Sequence, residues 1–170
     1  MKKKTVKYVI PVLLLVLFAA AGTGLFFYVR DRDKRLLREL VSELEAMTAK
    51  RQGRSNALAL LDAATPERVF AKETEIISDH PEIKHTFKLK EIGQLMMTIK
   101  KSCTSAKLDF SIDTITVNED TAVISGNALF SGSSSRGGNF REARNTELEC
   151  TRINGKWKIT RVKAHSIIRK

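Results

Sequence analysis

Two cysteines, three histidines and a scatter of strand-borne carboxylates are the residues that could carry chemistry in this 170-residue chain. Cys103 and Cys150 are the only thiols. In an oxidising compartment a bridge between them would close a loop of roughly 50 residues and, by chain entropy, contribute about 4 kcal/mol. The alternative is a pair of buried free thiols acting as small hydrophobes. There is no Cys-x-x-Cys motif to support a metal or redox role. His80 and His85 stand at His-x4-His spacing, with His165 far along the chain, and no third ligand lies nearby to complete a zinc site. All three read as surface histidines. Among the carboxylates, Asp109, Asp113, Glu142, Glu147 and Glu149 fall on expected strands. A general acid–base pair needs one carboxyl in a desolvated setting, and the pattern places no such partner beside any of them. The sequence therefore offers no catalytic residue, metal ligand or cofactor site. The basic run Lys156, Lys158, Arg161, Lys163, Arg169 and Lys170 is expected to pair across strands with Glu147 or Glu149. An acidic partner or a phospholipid surface would be its other uses.

The elements that hold these residues follow from periodicity. From Leu108 the apolar period is two: Leu108, Phe110 and Ile112 alternate, then the phase slips to Ile115 and Val117, which predicts a β-bulge near Asp113-Thr114. Asn118-Glu119-Asp120 reads as a tight turn. Ala122, Ile124, Ala128 and Phe130 then share one face of a second strand, with Gly126 between them. Ser131 to Gly138 (SGSSSRGG) reads as a flexible tip. A third strand is expected from about Phe140 to Ile153, with Leu148 and Cys150 on its core face and Glu147 and Glu149 opposite. Asn154-Gly155 predicts a type I′ hairpin. The fourth strand carries Trp157 and Ile159 before shifting phase to Val162 and Ala164.

Ahead of the strands the period is helical. Leu36, Leu37, Leu40, Val41, Leu44 and Met47 form one apolar stripe. Gln52-Gly53-Arg54-Ser55 breaks it, and a second helix carrying Leu58, Leu60 and Leu61 is expected after a Ser55 or Asn56 cap. Thr65-Pro66 reads as a further helix start, with Pro at the first helical position. Ala71 to Lys88, interrupted by Pro81, reads as a loop with short helical pieces. Ile92, Leu95, Met96 and Ile99 predict another amphipathic helix ending near Lys100-Lys101, cations that suit a helix C-terminus.

Tyr8 to Val29 is a run of 22 residues without a charge. As a helix it would be about 33 Å long, enough to cross a bilayer core of roughly 30 Å. The expected organisation is a basic tail over 1–7, a transmembrane helix over 8–29, a juxtamembrane helix and break over 30–55, and an α+β domain over 56–170, on which the helix of 30–50 could pack. A cleaved signal peptide ending at Ala19-Ala20-Ala21 is the competing reading, against which the apolar run continues through Val29. Lys2, Lys3, Lys4 and Lys7 ahead of the span favour an N-terminus inside and the domain outside, which is periplasmic in a Gram-negative cell. Net charge is +11, but it is concentrated in residues 1–35 and 156–170, while the stretch between is close to neutral. That distribution suits contact with lipid headgroups and argues against nucleic acid.

The segments IDTITVNEDTAVISGNALF and ELECTRINGKWKITRV resemble strands of the nuclear transport factor 2-like superfamily, a cone of curved antiparallel sheet wrapped around helices. The resemblance implies an α+β fold with about three helices packed on a strongly curved antiparallel sheet. It covers roughly Leu36 to Ser166 by element order, and residues 108–162 by motif. Catalytic members place Asp, His or Tyr inside the cone. Here the inward phase would instead bring Arg144 and Thr146 to the pocket mouth. The combined expectation is a membrane-anchored, non-enzymatic interaction or scaffold domain. It would meet the lipid bilayer through Tyr8–Val29 and a protein partner or second copy through the folded part. A small-ligand or enzymatic pocket inside the cone is the alternative.

Overall fold

The computed structural model describes residues 31–50, 66–79 and 82–166. The basic tail, the Tyr8–Val29 span, the break at Gln52–Ser55, the helix expected over Leu58–Leu61, the Thr65 cap, His80 and Pro81 lie outside the described residues. Among the described residues no helix is long and apolar enough to cross a membrane. Leu36–Lys170 forms one compact unit, with Met1–Arg35 a separate one.

Helix α1 covers residues 31–48, and its part from Leu36 on, which lies in the larger unit, contributes Leu37, Leu40, Val41, Leu44 and Met47 to the core. The stripe read from the sequence is thus the helix's buried face, so α1 belongs to the domain. A four-residue helix, α2 (Pro66–Val69), begins at the proline as expected. Helix α3 (Leu89–Ser102) starts where the Glu91 carboxylate accepts the Lys88 N–H at 2.7 Å, and ends on Lys100 and Lys101. Its buried side is carried by Ile92 at 1% exposure and Lys100 at 2%, whereas Leu95, expected in the core stripe, is 40% exposed.

Among the described residues, six strands form one sheet in the order β2-β1-β6-β5-β4-β3. They are β1 (Phe70–Asp79), β2 (Glu82–Lys88), β3 (Cys103–Asn118), β4 (Thr121–Ser134), β5 (Asn139–Ile153) and β6 (Lys156–Ser166). Two corrections to the sequence reading follow. Residues 71–79 and 82–88 lie in two strands paired antiparallel, not in a loop with helical pieces. The sheet is also mixed, because β1 pairs parallel to β6. Lys72, Glu73 and Glu75 hide the β1 strand from a hydropathy reading. Tertiary pairing holds it, with the buried Thr74 hydroxyl donating to the Ile159 carbonyl at 3.2 Å. A third correction shortens the flexible tip: β4 continues through Ser134, leaving a turn of four residues before β5.

Both phase slips are bulges. Ile112 pairs with Gly126 and Thr114 with Ser125, so Asp113 is the extra residue in β3. Cys150 pairs with Ile159 and Glu149 with Arg161, so Thr160 is the extra residue in β6. Gly126 allows the close strand approach beside the first bulge. A Cβ there would lie 2.2 Å from the Ser111 carbonyl oxygen and 2.8 Å from Phe110 Cε1. Asn154 and Gly155 both take positive φ, 51° and 74°, as the type I′ turn requires.

The edge strand β3 is partly sealed. Lys50 forms an antiparallel bridge with Ala106, with N–H···O distances of 2.7 and 3.0 Å. The Glu45 carboxylate accepts the Phe110 N–H at 2.6 Å. The Lys50 ammonium reaches the carbonyls of Lys100 and Cys103, both at 2.6 Å, and so satisfies the C-terminal end of α3.

Candidate functional site

The residues with the most polar chemistry on the helix-covered side of the sheet meet where β1 and β6 end beside β5. Alternation along β5 puts Arg144 and Thr146 on the same face as the buried Leu148 and Cys150. Thr146 is buried at 8% exposure and donates to the Arg144 carbonyl at 3.3 Å. The Arg144 side chain is 15% exposed and is held from three directions. Its Nη1 donates to Asp79 Oδ1 at 3.3 Å and to Ser166 Oγ at 3.0 Å, and its Nε donates to Glu142 Oε1 at 2.9 Å. Asp79 also accepts the Ser166 backbone N–H at 2.9 Å through both oxygens, and the Ser166 hydroxyl donates to it at 3.3 Å. The Ser166 N–H holds the Asp79 carboxyl below its ordinary value, aided by its own backbone and the nearby His165.

Asp, His and Ser adjoin here without forming a nucleophilic constellation. His165 Nδ1 approaches Asp79 Oδ2 at 3.7 Å, and Ser166 Oγ is engaged with Arg144 and Asp79. A serine nucleophile needs a base within hydrogen-bond reach, and the carboxylate touching this hydroxyl is a weakened base. Arg144 stands against two carboxylates, so the cluster presents no uncompensated cation for an anionic substrate. It acts as a clasp that ties the ends of β1 and β6 to β5. Sequence reading located Arg144 and Thr146 but missed Asp79 and Ser166, since Asp79 ends a strand that went unseen. The β-branched pair Ile76-Ile77 ahead of Ser78-Asp79 was the available strand signal.

The two cysteines are free and buried. Cys103 pairs with Ser134 on β4, and Cys150 with Ala122 on the same strand. Those positions are about a dozen residues apart, roughly 40 Å of strand contour at about 3.3 Å per residue, while a disulfide needs Cα atoms within about 7 Å. Of the two readings left open, the structure has two separate thiols, each a small buried hydrophobe. Burial pushes the Cys150 thiol up to about 12, which removes it as a nucleophile. No group of three or more His, Cys, Asp or Glu among the described residues could hold a metal ion.

On the opposite face Arg161 and Lys163 are paired as expected, while Arg169 and Lys170 lie outside the described residues. Lys163 Nζ meets Glu147 at 2.7 Å and Glu149 at 2.6 Å, while Arg161 meets Glu149 at 2.8 Å and Glu75 at 2.5 Å. These hydrogen bonds, led by the one from Lys163, lower Glu149, and the same contacts raise both cations. Lys158 donates to the carbonyls of Glu67 and Arg68, and partial burial lowers it. A depression of about 180 Å³ lies where α1 meets the β5–β6 hairpin, lined by Leu36, Leu40, Glu43, Arg68, Lys156 and Trp157 among others. The Arg152 guanidinium stacks over the Trp157 ring at 4.7 Å.

No family model matches the sequence, and no curated protein matches it. Solved structures do. The chain is similar to the Kfla4162 protein from Kribbella flavida, with TM-score 0.69 and 14% identity over 82% of this chain and 93% of that one. A nuclear transport factor 2-like protein with a cystatin-like fold from Novosphingobium aromaticivorans gives TM-score 0.65 and 16% identity, covering 87% and 91%. A hexachlorocyclohexane dehydrochlorinase, LinA-type3, from Novosphingobium barchaimii gives 0.57 and 13%, covering 82% and 89%. At such identities the likeness defines the fold. The domain is α+β with the nuclear transport factor 2-like architecture, and its neighbours include an enzyme beside proteins of unknown function.

Proposed function

We propose that this chain is a membrane-tethered, non-enzymatic interaction domain serving a cell-envelope assembly, with its N-terminus cytoplasmic and its domain outside. The observation that carries the non-enzymatic part is the occupied helix-covered face. The stripe of α1 fills it with Leu37, Leu40, Val41, Leu44 and Met47 against Ile124, Leu148 and Ile159, and the Arg144 cluster on it is held by the carboxylates of Asp79 and Glu142. The tether rests on the uncharged run from Tyr8 to Val29. Two measurements test the reading. Alkaline extraction of membranes should leave the full chain in the pellet and release a variant lacking residues 1–29. Co-purification at native abundance from detergent-solubilised membranes should retain a stoichiometric partner. A chain that washes free, or one that migrates alone, overturns it.

A pocket reading has one observation in its favour: Arg144 and Thr146 do stand on the helix-covered face, beside the half-buried Ala128 and Val162. A ligand that raises the melting temperature of the wild-type chain but not of Thr146→Trp would establish it.

A further inference from the structure

The sheet has two edges, β3 and β2, and they are finished differently. The β3 edge is partly sealed by Lys50 and Glu45. The β2 strand has β1 on one side, and among the described residues nothing pairs with its other side. Alternate residues of such a strand turn their N–H and C=O groups outward, where a further strand can bond to them. Six of its seven residues are exposed, and Ile83 keeps 38% of its surface in solvent. Phe87 is the exception, packed against the core. It fixes the faces: Ile83 and His85 share its side, and the His85 and Phe87 rings meet edge to face with centroids 4.6 Å apart. Glu82, Lys84, Thr86 and Lys88 occupy the other side.

The strand, EIKHTFK, is complementary to itself when turned end for end about His85. With two copies antiparallel and His85 opposite His85, Ile83 of each stands opposite Phe87 of the other on the helix-covered face. On the outer face Glu82 stands opposite Lys88, and Lys84 opposite Thr86. Within one chain Glu82 faces Asp79, a like charge, so the second copy supplies the opposite charge that β1 does not. The register is also selective. A dyad through the sheet keeps every side chain on its own face, so the pairing can slip only by two residues. Centring it on Lys84 sets that lysine against its own copy, and centring it on Thr86 sets Lys84 against Lys88. Like charges thus reject both neighbouring registers.

We propose that β2 is the edge through which two copies of this chain pair, antiparallel about His85, joining their sheets into one. This pairing rests on the interaction-domain reading and makes a second copy one of the domain's partners. Main-chain hydrogen bonds carry it, and the alternate side chains set its register. Because the same edge is used up in both copies, the assembly closes at two.

The test uses the full chain in detergent. Light scattering, with bound detergent subtracted, should find two chains per particle. Under mild oxidation His85→Cys should cross-link into a dimer at least about fivefold more than Lys84→Cys or Thr86→Cys, because position 85 alone is its own partner. His85→Lys and His85→Glu each put like charges on the dyad and should weaken the pair by about tenfold or more. An equal mixture of the two should restore it, which a folding defect would not allow. One chain per particle for wild type, equal cross-linking at the three positions, or a mixture that restores nothing overturns the pairing. If the pairing fails while a stoichiometric second protein co-purifies from membranes, the interaction-domain reading stands. If the pair forms while nothing else co-purifies, the pairing stands and the envelope-assembly reading falls.

Discussion

Replacing Leu37 by alanine tests whether α1 is structurally part of the domain. Leu37 has no exposed surface, and it sits in one cluster with Leu40, Leu44, Ile124, Leu148 and Trp157. Removing a fully buried leucine side chain costs its transfer free energy plus the cavity left behind, about 3–5 kcal/mol where the surroundings cannot collapse. A domain of this size has about 5–15 kcal/mol in total, so the melting temperature should drop by about 10–15 °C. Trp157, the chain's one tryptophan, is 5% exposed within the same cluster, so its fluorescence reports the unfolding directly. Denaturant titration of the full chain in detergent gives the free energy. Ser42→Ala and Arg38→Ala, on the exposed side of the same helix, should stay within about 0.5 kcal/mol of wild type. A Leu37→Ala variant as stable as these two controls would refute the claim that α1 closes the core.

Three other outcomes are expected. Gly126→Ala should destabilise by about 2–3 kcal/mol, because its Cβ would meet backbone that cannot yield, whereas Gly137→Ala, with open space but φ of 92°, should cost about 1 kcal/mol in the same titration. Asp79 and Glu149 are held below their ordinary values, so each adds stability that is fully present above roughly pH 4 and is lost as pH falls through the depressed value. Asp79→Asn and Glu149→Gln should each flatten the acid limb of a melting-temperature profile, and an unchanged limb in both would count against the contacts described. Native chain should resist thiol alkylation at Cys150 at pH 8 and yield two modifiable thiols after denaturation without reductant, and a mass showing one intramolecular bridge would contradict the register.

Much of the sheet was legible because its irregularities leave marks in the apolar phase. The slips after Ile112 and after Ile159 located both bulges, and Asn154-Gly155 located the last hairpin. Three apolar residues of the α3 stripe, Ile92, Met96 and Ile99, turn at least partly inward, but Leu95 does not, since spacing shows which residues share a face and not how far a neighbour covers it. The β1–β2 hairpin escaped because Lys72, Glu73 and Glu75 interrupt the apolar pattern, and its strand state is imposed by pairing to β6, about 85 residues away in sequence. The candidate site shared that fate. Arg144 and Thr146 were visible as members of the Leu148 phase; Ser166 stands opposite Arg144 across the β5–β6 pair, whereas Asp79 reaches them only through the parallel β1–β6 pairing. The sequence left the cysteine pair open for a related reason: loop length speaks to the entropy of closing a bridge, while register decides whether the sulfurs can meet.

The seal on β3 has a consequence for how these molecules tolerate crowding. An outermost strand with unclaimed amides is a template on which another chain can add, and repeated addition grows fibres. Here a lysine from the segment after α1 takes the amide and carbonyl of Ala106, a glutamate takes the amide of Phe110, and the kink at Asp113 spoils the straight run beyond. Loss of the Lys50 bridge would bare that template while leaving the core packed. Glu45 and Lys50 thus guard against polymerisation, and loss of their contacts with β3 would surface as insoluble aggregates before any fall in melting temperature.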